Sequence, residues 1–350
     1  MANIQQVARL AGVSTATVSR FFAGQTVRSH EAIAQAVSML GYSPSLVARS
    51  LKSGRHHAIG VIVPDITNPF FASLVKGIES EARGSGFELI LGNSDEDALI
   101  EASLVAAISQ RVDGLIIAPV VEDDAAVAAF IAAGTPAVLV DREIVSGMTD
   151  AGSRNAHAGR NVDCVLVDNA AGAALAVEHL SSLGHTAIAV ISGPLDSTPG
   201  RARHAGFLDE MARLGLPMSD DLVRVSDFRE EGGYAAMAEL VDLPERPTAV
   251  FVANNLMAIG ALRLLNDRRI PVPGSVSVVG FDDLSFAPLL NPPLSVIRRL
   301  DVLQGATAAR LLLRRLLAKP DEDILPERLS LPVELVIRGS TSRPNPEGTR

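Results

Sequence analysis

The 350-residue sequence predicts a small all-α headpiece followed by a larger α/β body built on two parallel sheets. Three observations carry that reading. Charge is unevenly spread: residues 1–57 hold six cations (Arg9, Arg20, Arg28, Arg49, Lys52, Arg55) against Glu31, a net +5. The remaining residues sum to −14, so the formal total of −9 hides a basic module on an acidic body. Helical periodicity fills the first forty or so residues, and from residue 58 onward apolar strand-like runs alternate with helical stretches. With 47% hydrophobic and 20% charged residues, the chain can bury a full core, which excludes global disorder.

In the headpiece, Ile4, Val7, Ala8 and Ala11 share one face of a helix over Ile4–Leu10, with Asn3 placed to accept a backbone N–H at its start. Gly12 ends that helix, and Ser14 caps a second over Thr15–Phe22, with Val18 and Phe21 inward. A third fits His30–Leu40, with Ile33, Val37 and Leu40 inward, and is closed by Gly41. Three short helices, the first two joined by a tight Gly-containing turn, make a helix-turn-helix. The second helix of such a unit offers its N-terminal residues to base edges in the major groove. Here these are Thr15, Ala16 and Thr17, with Arg20 one turn on to reach guanine or phosphate. A protein-binding three-helix unit is the competing reading, and a single acid in 57 residues disfavours it.

Pro44–Ser53 follows. Pro44 suits a first helical turn, yet Leu46–Lys52 makes barely two turns, which is marginal unless something packs on it. A short helix and a plain linker are equally compatible with these residues.

In the body, strands are expected at Ile59–Val63, Glu88–Leu91, Gly114–Ala118, Ala137–Val140, Cys164–Val167, Ala187–Ile191, Leu222–Val225, Ala249–Val252 and Val276–Val279. Helical segments between them imply parallel sheets covered on both faces. Some nine strands exceed one small domain, and two such sheets meet at a cleft where ligands bind at the carboxyl ends of strands. The strand ends carry Asp141, Asn254 and Asp282, and Arg203 lies in the helix after the sixth strand. Carboxylates, an amide and a guanidinium together suit a polyhydroxylated molecule, with Phe70 or Phe228 to cover its apolar face. Taken singly, each polar residue reads as a helix cap or a surface ion pair; their recurrence at strand ends favours a site.

VARLAGVSTATVSR (Val7–Arg20), GYSPSLVARSLKSG (Gly41–Gly54), IGVIVPDITNPFF (Ile59–Phe71), GNSDED (Gly92–Asp97), RVDGLIIAP (Arg111–Pro119), VGFDD (Val279–Asp283) and PPLSVI (Pro292–Ile297) occur in one order. Together they closely resemble the lactose/purine repressor (LacI/GalR) family, from residue 3 to about residue 338. The resemblance implies a hinge helix and linker over 44–57, the helix folding when two protomers meet on DNA. Leu51 is then a wedge in a minor-groove base step, with Lys52 beside it. It implies an effector pocket of Asp141, Arg203, Asn254 and Asp282, with Phe228 stacking.

The implied body, 58–338, has the two-lobe architecture of periplasmic binding proteins. Its N-lobe covers about 58–161 plus 298–320 and its C-lobe about 162–297 plus 321–338, with Arg328–Ile337 as a last strand in the second lobe. A headpiece over 1–43 precedes it, and a polar tail over 339–350, without the apolar heptads of a tetramerising helix, follows; a homodimer is expected.

Four departures stand out. Phe22-Ala23-Gly24 and Glu31 replace an Asn and an Arg common in family headpieces; Asn255 replaces an Asp; and Ser146–Arg160, rich in Gly, Ala and Ser, lengthens a connection and reads as a loop.

An enzyme is not expected: GxSxG, HExxH, Walker A and GxGxxG are lacking, no cofactor or metal set is evident, Cys164 reads as a core residue, and His179 and His185 as surface or capping groups. No apolar run approaches the ~18–20 residues of a membrane span. The N-terminus lacks a signal layout, so a cytoplasmic location is expected. The sequence thus predicts a regulator, a repressor, reading near-palindromic operator DNA under control of a sugar or sugar acid in the cleft. A purine- or other metabolite-responsive regulator using its effector as corepressor remains the alternative, ahead of a solute-binding protein with no role at DNA.

Overall fold

The structure, a computed structural model, describes residues 2–22, 25–42, 55–144, 162–319 and 322–345. The expected hinge helix with Leu51 and Lys52, and the Ser146–Arg160 segment, lie outside these residues. The chain divides into two compact units, one up to residue 57 and one from residue 58.

In the first unit, α1 (Ile4–Leu10), α2 (Thr15–Phe22) and α3 (His30–Leu40) have the expected bounds. Asn3 and Gln6 form a reciprocal capping box on α1, satisfying two otherwise orphaned N–H groups. Gly12 takes φ 65° in the turn to α2, a conformation that costs other residues about 1 kcal/mol or more. Val7, Ala8, Val18, Ile33 and Ala36 form the core, with Phe21, Phe22, Leu40 and Tyr42 packed around it. Phe22 meets the Tyr42 ring at 5.8 Å, which ties the end of α2 to the residues beyond α3.

The second unit holds two six-stranded sheets. Its elements run β1 (Ala58–Val63), α4 (Pro69–Gly84), β2 (Glu88–Asn93), α5 (Ala98–Ser109), β3 (Gly114–Ile117), α6 (Ala125–Ala132), β4 (Ala137–Val140) and β5 (Asp163–Val167). They continue with α7 (Asn169–Ser182), β6 (Ile188–Ser192), α8 (Thr198–Arg213), β7 (Val223–Val225), α9 (Glu230–Val241), β8 (Ala249–Val252), α10 (Asn255–Asp267) and β9 (Ser277–Phe281). β10 (Ser295–Arg299), α11 (Asp301–Leu317), β11 (Arg328–Leu331) and β12 (Val333–Val336) complete the described elements, apart from two short 3-10 turns.

The first sheet has the order β11-β5-β4-β3-β1-β2 and is wholly parallel. The second has the order β12-β10-β9-β8-β6-β7 and is parallel except for the antiparallel edge strand β12. Central strands such as β1, β3, β4 and β8 are buried along their whole length, as helices on both faces require. The chain crosses between sheets three times: after β5, after β10, and between β11 and β12.

Two expected boundaries move. The second lobe does not begin at 162, because β5 pairs with β4, and Asp163 is held there by Arg315 of α11 and the Glu327 N–H. The single last strand is two. Pro332 has no N–H to continue a ladder, and the chain passes there from β11 in the first sheet to β12 in the second.

The tail expected from 339 is packed as far as it is described. Buried Ser340 donates to the Val278 carbonyl at 2.6 Å and accepts from Ser295 N–H at 2.8 Å. His185 is buried rather than superficial, held between Thr248 Oγ1 (2.9 Å) and the Ser342 carbonyl (2.8 Å), while His179 bonds Thr341 Oγ1 at 2.9 Å. Among the described residues, no helix is long and apolar enough to cross a membrane.

Candidate functional site

In the headpiece, Thr15, Ala16 and Arg20 are exposed on α2. Thr17 is half-buried, and its Oγ1 lies 2.9 Å from Ser14 Oγ, which also caps the Thr17 N–H at 3.2 Å. Thr17 therefore helps shape the start of α2, while Thr15, Ala16 and Arg20 present groups outward. Arg9 and Arg28 are exposed cations of the same small unit.

In the body, all six residues singled out in the sequence line one cleft between the two sheets: Phe70, Asp141, Arg203, Phe228, Asn254 and Asp282. Each is at least nine-tenths buried. Asp141 and Asp282 directly follow the ends of β4 and β9, the carboxyl ends where ligands of open parallel sheets bind. Asp141, Phe228 and Asp282 adopt φ values of 65°, 65° and 71°, conformations that cost a non-glycine residue on the order of 1 kcal/mol or more and gather at working sites.

The electrostatics are those of a buried, cross-braced cluster. Arg203 lies 3.6 Å from the centroid of the Phe281 ring, donates from Nε to Asn169 Oδ1 at 2.8 Å and from Nη1 to the Ala253 carbonyl, and sits 3.9 Å from Asp282 Oδ2. Burial pushes its pKa down to about 10, only partly offset by Asp282. For Asp141 burial acts upward, but Arg299, then Arg203 and Arg142, outweigh it and hold the carboxyl below its ordinary range. Asn254 accepts from Met257 N–H at 2.8 Å, capping α10, and donates to the Phe228 carbonyl at 2.9 Å, so its amide also fixes the aromatic residue. Phe228 rests on Gly193, where a Cβ would lie 2.0 Å from a ring carbon.

Several cleft residues escaped sequence reasoning. Arg299, at the end of β10, bonds Asp141, lies with Nε 2.7 Å from Asp282 Oδ1, and stacks 3.3 Å from the Phe70 centroid. The ring face expected to cover a ligand is thus taken by a guanidinium. The available signal was register: Arg298 faces solvent and Arg299 shares its strand face with buried Ile297. Arg142 forks onto Glu96 at 2.6 and 2.8 Å; burial acts to lower its pKa, but Glu96, with Asp141 and Glu101, outweighs burial and raises it.

Bonds also span the cleft. Asn255 Nδ2 donates to Asn68 Oδ1 at 2.9 Å, so the departure at 255 supplies a buried brace. Glu122 accepts from Thr198 at 2.6 Å and from Arg201, and Arg229 donates to the Asp95 carbonyl at 3.0 Å. The cavity left is about 30 Å³, room for roughly two waters. Among the described residues, no cluster of three or more His, Cys, Asp or Glu is placed to hold a metal ion.

Comparison with known proteins agrees with this two-part geometry. Residues 3–45 match the model of bacterial regulatory proteins of the lacI family, and residues 177–341 that of a periplasmic binding protein-like domain. The ribose operon repressor of Escherichia coli (strain K12) is 35% identical over 97% of this chain and 100% of its own. The HTH-type transcriptional repressor PurR of Glaesserella parasuis serovar 5 is 34% identical over 99% of this chain and 100% of its own. Among solved structures, the lac repressor dimer bound to operator and the anti-inducer ONPF aligns with TM-score 0.82 at 29% identity, covering 97% of this chain and 99% of that one. A lacI family transcriptional regulator from Enterococcus faecium with bound ribose aligns with TM-score 0.68 at 32% identity, covering 82% and 100%. The chain belongs to the lacI family of bacterial regulatory proteins, which are DNA-binding transcriptional repressors and not enzymes.

Proposed function

We propose that this repressor is a cytoplasmic homodimer whose cleft binds a small polyhydroxylated effector, a sugar, and whose operator affinity follows occupancy of that cleft. Asp141 and Asp282 accept hydrogen bonds from ligand hydroxyls, Arg203 donates to ligand oxygens, Asn254 does both, and Phe228 and Phe70 cover apolar ring faces. In each protomer Thr15, Ala16 and Arg20 read one half of a near-palindromic operator, Thr17 supports them, and Leu51 with Lys52 engages its centre.

The observation that carries the reading is convergence. Six residues chosen from separate strand ends and helices line one buried cleft, with two carboxylates, an amide and a guanidinium in reach of one another. Similar solved structures that hold sugars, one with cellobiose and one with ribose, favour a sugar over a purine. A thermal-shift screen of sugars, sugar acids and nucleobases tests it. A sugar should stabilise the wild type and have no effect on Arg203→Ala. Stabilisation by purines alone would replace the sugar with a nucleobase corepressor, and an unaltered response in Arg203→Ala would place the site elsewhere.

A further inference from the structure

We propose that Arg299 is a built-in stand-in for the effector: it bridges the two lobes across the cleft through the groups a ligand needs, and the effector acts by displacing it. This rests on the cleft being the effector site. Arg299 ends β10, next to the crossing into α11, and its side chain reaches groups of both lobes. It bonds Asp141 beyond β4 of the first sheet and lies 2.7 Å from Asp282 beyond β9 of the second. Its guanidinium covers Phe70 of α4 at 3.3 Å. One side chain therefore occupies both carboxylates and an aromatic face, in a cavity of about 30 Å³ that cannot admit a sugar as it stands.

The bridge is close but imperfectly made. Arg299 Nε and Asp282 Oδ1 are buried and, despite their 2.7 Å separation, are off-line for a hydrogen bond, so each lacks an aligned partner. A ligand hydroxyl can give Asp282 the aligned donor it lacks. The displaced guanidinium also has somewhere to go. Asp301 Oδ1 is buried without a hydrogen-bond partner, 3.6 Å from Arg299 Nε, at the start of α11 where the chain has just crossed between sheets. Moving the cation from Asp141 and Asp282 toward Asp301 transfers the brace from the cleft to the crossing segment. That gives effector binding a physical route to the angle between lobes, since a ligand shifts an equilibrium only through differential contacts with its two states.

The test uses the full chain with Asp123→Cys and Asp196→Cys, two exposed positions on opposite rims, carrying spin labels for distance measurement. Native Cys164 is buried, and burial pushes its thiol pKa far up, so it stays unlabelled. Without ligand, the wild-type background should show one short distance, and Arg299→Gln a longer, broader distribution. By calorimetry D-ribose should then bind Arg299→Gln about tenfold more tightly, as expected if nine-tenths of the wild-type molecules are held shut. Asp301→Asn provides a second variant: it should keep the short ligand-free distance but weaken D-ribose binding several-fold. An unchanged ligand-free distance in Arg299→Gln, or loss of its D-ribose binding, overturns the proposal, the second outcome by making Arg299 a ligand contact. If D-ribose binds neither form, the sugar chosen for the cleft is wrong, and the ligand-free distances alone decide the role of Arg299.

Discussion

Asp282→Asn isolates one charge in the cleft. The backbone there has φ 71°, which asparagine tolerates as well as aspartate, so the substitution leaves the turn intact and removes only the charge. Two buried guanidiniums lose a partner: Arg299, whose Nε is 2.7 Å away, and Arg203, at 3.9 Å. Breaking one side of a buried ion pair costs about 3–5 kcal/mol. Two features trim that figure. Arg299 keeps Asp141, and Asp301, held protonated up to about pH 7 chiefly by burial and further by the Asp282 charge, ionises more readily once Asp282 is neutral. The net loss should therefore be about 2–3 kcal/mol. For a unit of this size each kcal/mol shifts Tm by roughly 2–4 °C, which gives about 5–10 °C. Scanning calorimetry at pH 6.5, where Asp301 is still largely protonated in wild type, should show the body's transition lowered by that amount, with the sugar-induced shift abolished. A transition within about 1 °C of wild type would refute the view that these charges depend on one another.

Glu101 offers a pH signature. It is fully buried on α5, accepts from Val120 N–H at 3.1 Å, and burial lifts its pKa from 4.5 to about 8, with Asp124 adding to the rise. The folded state therefore binds the proton more tightly than the unfolded one, so its contribution to stability falls as pH rises from about 4.5 to about 8 and levels off above. Glu101→Gln should match wild type near pH 5 and exceed it by roughly 2–4 kcal/mol at pH 9 in denaturant titrations; a constant difference across that range would contradict the assignment. Gly193→Ala places a methyl inside the Phe228 ring position, costing about 1–3 kcal/mol and dislodging the ring. It should abolish the effector response while operator binding, read by mobility shift, persists. Arg20→Ala should weaken operator binding; a salt slope shallower by about 1 marks a phosphate contact, and relaxed sequence preference at constant slope marks a base contact.

How much was legible in the sequence follows from what local patterning encodes. The headpiece helices came out with their observed bounds because Asn3, Ser14, Gly12 and Gly41 mark their ends and the apolar residues keep a helical period. Strand ends gave Asp141, Asn254 and Asp282 for the same reason: a polar residue closing an apolar run is a local signal. Arg299 and Arg142 were not visible, because each matters through partners far away in the chain; Arg299 meets Asp141 across 158 positions. The split at Pro332 was written in the residue itself, but which sheet each half joins depends on pairing that no local pattern contains. Likewise, the polar segment after Ile337 resembles a loose tail until Ser340 is seen satisfying Val278 and Ser295.

Coupling between cleft and headpiece is tested most directly by reciprocity. Operator affinity should be measured by fluorescence anisotropy with and without saturating effector, and effector affinity by calorimetry with and without operator, for wild type and Asp282→Asn. Coupling through one conformational equilibrium requires the two wild-type ratios to be equal, typically between about 5- and 150-fold, and the operator affinity of the variant to be the same with and without effector. Unequal wild-type ratios, or an operator affinity indifferent to effector, would contradict the account.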